Sequence, residues 1–372
     1  MHPEFPQDPD LIYLNHAAVA PWPRRTAEAI RGFAEENVQR GAAHYPRWMT
    51  RDAALRRQLQ ALLNAPSVDG IALVKNTSEA ISFVASGLEW REGDNIVSSD
   101  EEFPSNRIPW EALKIQGVGF REARLAGADD PEQALFDLVD SHTRLIAISS
   151  VQYASGLRLN LARIGEFCQA RGILFLVDAI QSLGALKVDV QECQADFVMA
   201  DGHKWLLAPE GLGVFYVSAR GRERVKPTQY GWHMVEKSGD YDHRDWQIAR
   251  SAKRYECGSP NMLGIHALSA SLSLLLETGI PAIEGAILGH TERLIRLIAQ
   301  HGTLELMSSR RPDLRSGIVV FRHQSVPNAE LWSHLKRHGV ICALRGGGIR
   351  YSPHFYTEDL ALERAVVLAA SV

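Results

Sequence analysis

The chain has 372 residues, with a formal net charge of −4, 45% hydrophobic residues and 23% charged residues. This length suits one large domain with a smaller one, and the composition is that of an ordinary globular protein. The slight acidic excess argues against a nucleic-acid-binding protein, because such proteins need basic residues to neutralise phosphates.

The four cysteines are far apart and form no CxxC pair, at positions Cys168, Cys193, Cys257 and Cys342. This spacing excludes a zinc ribbon or a disulfide framework and is typical of a reducing compartment. The N-terminal residues lack the basic and apolar segments of a secretory signal. No run of about 18 apolar residues predicts a membrane span. We therefore expect a cytoplasmic protein with no membrane partner.

The first part of the chain is predicted to form an arm and two helices. The arm, residues 1–20, contains a short strand or extended segment at residues 11–14. Amphipathic helices are predicted at residues 24–40 and 51–63. The segment between them, residues 41–48, is rich in aromatic residues. It predicts either a loop packed on the body of the protein or a contact at a dimer interface or a site.

From residue 71 onward, short apolar runs without alternation indicate strands that are buried on both faces. These runs are residues 71–74, 96–97, 145–148, 173–177, 197–199 and 214–217. Helical patterns separate them at residues 79–88, 106–116, 131–139 and 161–170. This alternation predicts an α/β fold with a mainly parallel sheet covered by helices. In such sheets ligands bind beyond the carboxyl ends of the strands, so the residues after each run are candidate site residues.

The C-terminal part, from about residue 253, predicts a smaller α+β domain. Helices are expected from residue 260, at 281–300, at 329–338 and from 357, with strands at 317–321 and 340–342. We place the domain boundaries so that the arm is residues 1–20, the large domain 21–255 and the small domain 256–372.

The residues that follow the buried runs carry a specific set of chemical groups. The set contains hydroxyls at a helix start, aromatic rings, a carboxylate, an amide, an imidazole and a lysine, namely Thr77, Ser78, Phe103, Tyr153, Asp178, Gln181, His203 and Lys204. Taken singly, each has a simpler interpretation as a helix cap, a core residue or a lysine that extends to solvent. The combination in this order predicts a binding site.

Pyridoxal 5′-phosphate (PLP) requires such a set. A lysine at the end of a buried strand loses solvation, which lowers its pKa and suits a nucleophile or Schiff-base lysine such as Lys204. A carboxylate such as Asp178 keeps the pyridine nitrogen protonated, so that the ring acts as an electron sink. Hydroxyls at a helix start bind the phosphate, and Phe103 can cover the ring. No G-x-G-x-x-G follows a strand, and no Walker motif or metal-ligand cluster is present.

The sequence resembles the class V aminotransferase family of PLP-dependent enzymes with the type I fold. This family includes isopenicillin-N-epimerase-like proteins, cysteine desulfurases and kynureninases. The resemblance is strongest at residues 177–184, 201–211 and 349–356, and it covers nearly the whole chain. It implies that Lys204 forms the Schiff base and carries the proton at Cα. It also implies that Asp178 is the partner of the pyridine nitrogen.

The resemblance also implies roles for other residues. Thr77, Ser78 and His203 would contact the phosphate, and Phe103 would stack on the ring. Gln181 and Tyr153 would lie near the ring hydroxyl. Arg350 would bind the substrate carboxylate, for which its bidentate fork is suited. Ser259 would reach the phosphate of a partner subunit, which makes a homodimer expected.

Two features depart from the family pattern. Asp201 stands where members often have Ser or Asn near the phosphate, and a carboxylate there would repel the phosphate. Asp201 therefore receives no role. The catalytic cysteine of the desulfurases is also not evident, because Cys342 lies at the end of an apolar strand and is interpreted as a core residue.

We therefore expect a PLP-dependent enzyme that acts on a small α-amino acid through a Lys204 aldimine and a quinonoid stabilised by Asp178. An aminotransferase or epimerase-like reaction is favoured, and a carbon–sulfur lyase is the alternative. A non-catalytic binding protein of the same fold is a remote alternative. The substrate side chain is expected to meet one or more of seven residues, namely His16, His44, Tyr45, Trp48, Tyr230, Trp232 and Arg345.

Overall fold

The computed structural model describes residues 2–242 and 244–372. Its strands are β1 (Ile12–Tyr13), β2 (Ile71–Val74), β3 (Asn95–Ser99), β4 (Gly119–Ala123), β5 (Thr143–Ser149), β6 (Leu174–Asp178), β7 (Phe197–Asp201), β8 (Gly213–Val217), β9 (Leu304–Leu306), β10 (Val319–His323), β11 (Val340–Ile341), β12 (Ala343–Arg345) and β13 (Gly348–Tyr351). Its α-helices are α1 (Arg24–Arg40), α2 (Tyr45–Leu63), α3 (Thr77–Gly87), α4 (Ile108–Glu111), α5 (Pro131–Phe136), α6 (Leu161–Arg171), α7 (Ala219–Arg224), α8 (Met262–Thr278), α9 (Ile280–Gln300), α10 (Asn328–Arg337) and α11 (Asp359–Ala370).

A seven-stranded sheet with the order β2-β8-β7-β6-β5-β3-β4 forms the centre of the fold. Strands β4, β3, β5, β6 and β7 pair in parallel, whereas β8 is antiparallel to both of its neighbours. Strand β8 reverses direction because a loop, rather than a crossover helix, connects it to β7. The expected mainly parallel α/β sheet is confirmed.

Both faces of this sheet are buried, which explains the continuous apolar runs in the sequence. In β6, Phe175 and Val177 face one apolar layer, whereas Leu174 and Leu176 face the other. This alternation is the pleat of a strand that is covered on both sides. Strand β4 was not predicted, because it lies at the sheet edge and four of its five residues are at least partly exposed.

Several helix bounds differ from the prediction. Helix α2 begins at Tyr45 rather than residue 51, because Pro46 is favourable in the first turn. The aromatic residues of this segment therefore belong partly to a helix, and Trp48 packs on Phe33 with ring centroids 5.0 Å apart. The predicted helix at residues 106–116 is the short α4 followed by a 3-10 turn, Ala112–Gln116.

The C-terminal part contains a four-stranded antiparallel sheet with the order β12-β13-β10-β9. Helices α9, α10 and α11 contribute apolar side chains to its core, which includes Leu294, Leu335 and Leu362. Strand β1 of the N-terminal segment pairs in parallel with β11. The α+β pattern of this part agrees with expectation, while the domain boundary at residues 255 and 256 stays a prediction.

Within residues 2–242 and 244–372, no single helix has the length and apolar character needed to cross a membrane. Helices α8 and α9 would meet that requirement only as a pair, and their axes differ by 82°.

Candidate active site

Two neighbouring strands deliver the central residues of the site. Strand β6 ends at Asp178 and β7 ends at Asp201, and Asp178 lies opposite Met199 in the parallel register. Two residues beyond β7, His203 precedes Lys204. Because parallel strands end at the same edge of a sheet, the Asp178 carboxylate and the Lys204 amine come close together.

A strained turn holds Lys204 in place. The Lys204 carbonyl accepts a hydrogen bond from the Leu207 N–H at 3.0 Å, and Leu207 adopts a left-handed conformation with φ of 59°. Such a conformation costs a non-glycine residue about 1–2 kcal/mol. The turn persists because Leu207 is fully buried and its carbonyl accepts a hydrogen bond from the Ser271 hydroxyl at 2.8 Å. Strain of this kind is often found at functional sites.

Lys204 is buried, with 8% of its surface exposed, and its Nζ lies 5.6 Å from the centre of the Phe103 ring. Burial lowers the pKa of its ammonium group to about 8, although the negative charge of Asp178 opposes this shift. The nearby positive charge of Arg350 also favours the neutral amine. A lysine in this environment is a nucleophile and a proton acceptor near neutral pH.

The Asp178 carboxylate is buried, and few interactions offset its loss of solvation. Its Oδ1 accepts one hydrogen bond, from the Ile180 N–H at 3.0 Å. Burial raises the pKa of this carboxyl group, and the negative charges of Glu102 and Asp201 raise it further. The attraction of Lys204 only partly opposes this effect. A cation held against Asp178 would therefore favour the ionised carboxylate.

These residues line one cavity of about 400 Å³. Nine of the eleven predicted site residues contribute to its wall, namely Thr77, Ser78, Phe103, Tyr153, Asp178, Gln181, His203, Lys204 and Arg350. The wall also contains residues to which the sequence assigned no role, including Asn76, Ser105 and Asp201.

One end of the cavity is suited to an anion. Helix α3 begins there at Thr77, after Asn76, whose side chain accepts a hydrogen bond from the Glu79 N–H at 2.9 Å. The Thr77 hydroxyl is buried and has no hydrogen-bond partner among the described residues. The Ser78 hydroxyl donates to the Ser105 hydroxyl at 2.8 Å. A free hydroxyl beside the N–H groups of a helix start is a typical phosphate site.

Asp201 and His203 form an incomplete pair at the cavity wall. Asp201 Oδ2 lies 3.3 Å from His203 Nδ1. Asp201 Oδ1 and His203 Nδ1 are both buried without a hydrogen-bond partner among the described residues. Polar atoms left unpaired in this way indicate that a further group satisfies them.

Buried carboxylate hydrogen bonds support the aromatic wall of the cavity. Phe103 contacts Tyr153 edge to face, with centroids 5.1 Å apart. Glu102, which is 5% exposed, accepts hydrogen bonds from the Ser149 N–H at 2.7 Å and from the Gln152 amide at 2.9 Å. Glu102 and Gln152 directly precede Phe103 and Tyr153, so these bonds fix the wall. The sequence signal for this support was the acidic run at residues 100–102.

Part of the cavity wall is cationic. Arg350 in β13 is 3% exposed and donates a hydrogen bond to the Tyr153 carbonyl at 2.7 Å. Its Nε is buried without a partner among the described residues. Burial lowers the pKa of Arg350 to about 10, and the positive charge of Arg345 adds to this effect. The guanidinium stays charged and is available to a carboxylate.

Two predicted site residues lie outside this cavity. His16 is fully buried, and its ring nitrogens are hydrogen-bonded to the Ser352 carbonyl at 2.8 Å and the Tyr356 hydroxyl at 2.6 Å. Both ring nitrogens of His16 therefore join the N-terminal segment to residues 352–356. They do not face the cavity, so the expected substrate contact of His16 does not agree with the structure. Burial lowers its pKa to about 4. Ser259 lies at the surface in a separate depression with Lys75.

Gln181 connects the cavity to the N-terminal segment that contains His16. Its amide donates to the Ala17 carbonyl at 3.0 Å and accepts from the Trp205 indole at 3.0 Å. Trp205, directly after Lys204, is 1% exposed and lies beside His16, with ring centroids 6.3 Å apart. The segment that carries Lys204 is therefore anchored to the N-terminal segment.

Residues 12–360 match the family model of aminotransferase class V. A probable cysteine desulfurase of Methanothermobacter thermautotrophicus is 31% identical over 95% of this chain and 93% of its own length. The isopenicillin N epimerase of Streptomyces clavuligerus is 29% identical over 96% of this chain and 94% of its own length. These relatives cover the whole site.

Solved structures share the fold. A cystine C–S lyase, in complex with its reaction product cysteine persulfide, matches with a TM-score of 0.91 at 24% identity, over 97% of this chain and 98% of that chain. A variant of the lyase, with glycine covalently linked to its PLP cofactor, matches with a TM-score of 0.92 at 23% identity, over 98% of both chains.

The residues of the cavity fit PLP. The unpartnered Thr77 hydroxyl at the start of α3 fits the phosphate, and the uncompensated Asp178 carboxylate fits a protonated pyridine nitrogen. Phe103 offers an accessible ring face, since 42% of its surface is exposed. The buried amine of Lys204 fits the aldehyde.

Proposed function

Because the chain belongs to the class V aminotransferase family and its cofactor is PLP, we propose that it transfers a proton at the Cα of a small α-amino acid. The outcome is transamination or epimerisation. The observation that carries this proposal is the placement of Lys204 and Arg350 on the wall of one cavity. The cavity therefore contains both a base, Lys204, and a group that can bind a carboxylate, Arg350.

Two residues act directly on the substrate. Arg350 binds the substrate carboxylate through its fork of N–H groups, and its bond to the Tyr153 carbonyl fixes the orientation of that fork. Lys204 takes the proton from Cα, because its lowered pKa makes a larger fraction of free amine available near neutral pH than an ordinary lysine has. The buried position of Lys204 keeps water from competing for this proton.

Other residues hold the cofactor. Thr77, Ser78 and His203 bind the phosphate, and Phe103 covers the ring. Asp178 holds a proton on the pyridine nitrogen, because the buried carboxylate gains a cationic partner there. When bound, PLP supplies an electron sink that stabilises negative charge at Cα.

The positions of the cysteines favour proton transfer over desulfuration by an enzyme thiol. None of the four cysteines, all of which lie in the described residues, lines the cavity. Cys342 is 7% exposed in the core of the C-terminal part, and burial raises the pKa of its thiol to about 12. A thiol in this environment is a poor nucleophile.

A carbon–sulfur lyase is the second candidate. The relative at 31% identity is a probable cysteine desulfurase. A lyase that needs no enzyme thiol would use the same Lys204 and Arg350. Proton removal at Cα is then followed by loss of a sulfur substituent rather than by reprotonation.

A panel of amino acids tests the proposal. The PLP-loaded enzyme is incubated with each amino acid in deuterium oxide. The products are then assayed for deuterium at Cα, for the opposite enantiomer, for pyridoxamine 5′-phosphate with keto acid, and for sulfide. The proposal is supported if the recovered amino acid carries deuterium at Cα and the products include either the opposite enantiomer or pyridoxamine 5′-phosphate with keto acid. Lys204→Ala should abolish these products. Sulfide release from cysteine or cystine, with neither of those products, would replace the proposal by the lyase.

We also infer a homodimer in the cytoplasm. Ser259 lies at the surface, away from the cavity of its own chain, which suits a contact with the phosphate of a partner. The loop near it exposes large aromatic side chains, namely Tyr230, Trp232, Tyr241 and Trp246. The four cysteines are unpaired, as suits a reducing compartment. Light scattering tests the dimer, and a monomer at micromolar concentration that binds PLP fully would contradict it.

A further inference from the structure

A hairpin of the C-terminal sheet places two arginines on the same side. Strands β12 and β13 pair antiparallel, with Ala343 opposite Arg350 and Arg345 opposite Gly348. Opposed residues point to the same face of a sheet, and so do residues two apart in one strand. Arg345 and Arg350 therefore share a face with Ala343, which lies opposite Arg350 and two residues from Arg345. Diagonal neighbours of this kind are about 7 Å apart.

This face points into the cavity that holds Lys204. Ala343, Arg345 and Arg350 all contribute to the wall of that cavity. Ala343 and Gly348 are the other two residues of this face, and neither carries a side chain long enough to cover a guanidinium group. A ligand bound by Arg350 can therefore extend along the hairpin to Arg345.

The turn of the hairpin is fixed against the body of the protein. Gly346 has φ of 62°, and a Cβ at this position would lie 2.4 Å from the Ala154 carbonyl oxygen. Only glycine permits this approach. The hairpin is thereby held beside Tyr153, whose carbonyl accepts the hydrogen bond from Arg350. Arg345 is therefore positioned at the cavity and does not lie on a free loop.

Arg345 is a cation without a carboxylate partner among the described residues. Its side chain donates a hydrogen bond to the carbonyl of its own neighbour, Leu344, at 2.9 Å. Its positive charge acts unfavourably on Arg350. Two cations on one wall that repel each other would both gain from a ligand that carries two negative charges.

We propose that Arg345 is a specificity-determining residue that selects α-amino acids with a second acidic group on the side chain. Arg350 binds the α-carboxylate, and Arg345 binds the side-chain acid. A neutral side chain leaves Arg345 in water and gains nothing from it. This inference deepens the proposed function and rests on it, since it names the substrate class for the same site.

Binding of simple acids tests the inference without turnover. The dissociation constants of glutarate and of its monocarboxylate counterpart, valerate, are measured by calorimetry on the PLP-loaded enzyme. We expect glutarate to bind about tenfold more tightly, as one additional charge-assisted hydrogen bond allows. In Arg345→Gln this preference should fall to within about twofold, and Arg345→Lys should retain part of it. The control, Arg337→Gln, removes an exposed arginine of α10 that is not on the cavity wall, and it should leave the preference unchanged.

Turnover measured on the same preparations separates the two claims. We expect kcat/KM for glutamate or aspartate to exceed that for alanine, and Arg345→Gln to remove the difference. Equal binding of glutarate and valerate by the wild-type enzyme would overturn the inference even if amino acids are converted, and so would a preference that survives in Arg345→Gln. An Arg345-dependent preference for glutarate with no conversion of any amino acid would sink the proposed function instead and leave the selection of diacids standing.

Discussion

Replacing Asp178 with asparagine should stabilise the cofactor-free protein while weakening its hold on PLP. Asp178 is 1% exposed and accepts a single hydrogen bond, from Ile180. Burial raises the pKa of its carboxyl group from 3.8 to about 7. A carboxyl group whose pKa is raised in the folded state destabilises the fold when it is ionised. Stability is therefore lost as the pH rises from about 4 through 7, and stays lower above that.

The structure sets the size of this effect. At ~1.4 kcal/mol per pH unit, the pKa difference corresponds to at most ~4 kcal/mol above pH 7. Asparagine removes this penalty but leaves Lys204 without its anionic neighbour, so the net gain is smaller. Removing one partner of a buried pair is destabilising while the other partner stays charged, but Lys204 can release its proton at pH 8 because its pKa is about 8. We expect a gain of ~1–3 kcal/mol at pH 8 and none at pH 4.

Urea-induced unfolding of the cofactor-free protein at pH 4, 6 and 8 measures this prediction. Asp245→Asn, at an exposed carboxylate outside the cavity, serves as the control and should match the wild type at all three values. With PLP present the order should reverse, because the variant lacks the anionic partner of the pyridine nitrogen. The reasoning is refuted if Asp178→Asn is less stable than the wild type at pH 8 without PLP.

Four further substitutions have defined outcomes. Arg350→Lys should raise KM at least about tenfold in steady-state kinetics, because lysine lacks the bidentate fork; an unchanged KM would remove Arg350 from the substrate site. Gly346→Ala should lower the free energy of unfolding by about 1–3 kcal/mol, because its Cβ would meet the Ala154 carbonyl at a positive φ. Gly347→Ala, which meets only the flexible end of Met307 at 3.3 Å, should cost less in the same urea titration. Cys342→Ala should leave kcat unchanged, and a collapse of turnover would identify a catalytic thiol.

The central sheet could be predicted from sequence because its strands are buried on both faces. Such strands appear as apolar runs, and the residues after them collect at one edge of the sheet, which is why Asp178 and Lys204 were found together. Strand β4 carried no such run, since it is an exposed edge strand. The early start of α2 was not predicted. Pro46 lies in the first turn of this helix, but the aromatic residues around it were interpreted as a loop.

Contacts between distant segments could not be predicted in the same way. His16 was expected at the substrate, but the bridge between Asn15 and Ser352 turns it towards Tyr356. No local pattern encodes a pairing across more than 300 residues. The hydrogen bonds of Glu102 were missed for the same reason, because its donors lie at the end of a different strand, β5, and just after it.

The central claim is that Lys204 is the residue to which PLP attaches. Borohydride reduction of the PLP-loaded protein, followed by digestion and mass spectrometry, measures the site of attachment. We predict one reduced PLP group per chain, located on Lys204, and none on Lys204→Ala. Attachment to another lysine such as Lys75, or no attachment to the wild-type protein, would contradict the account.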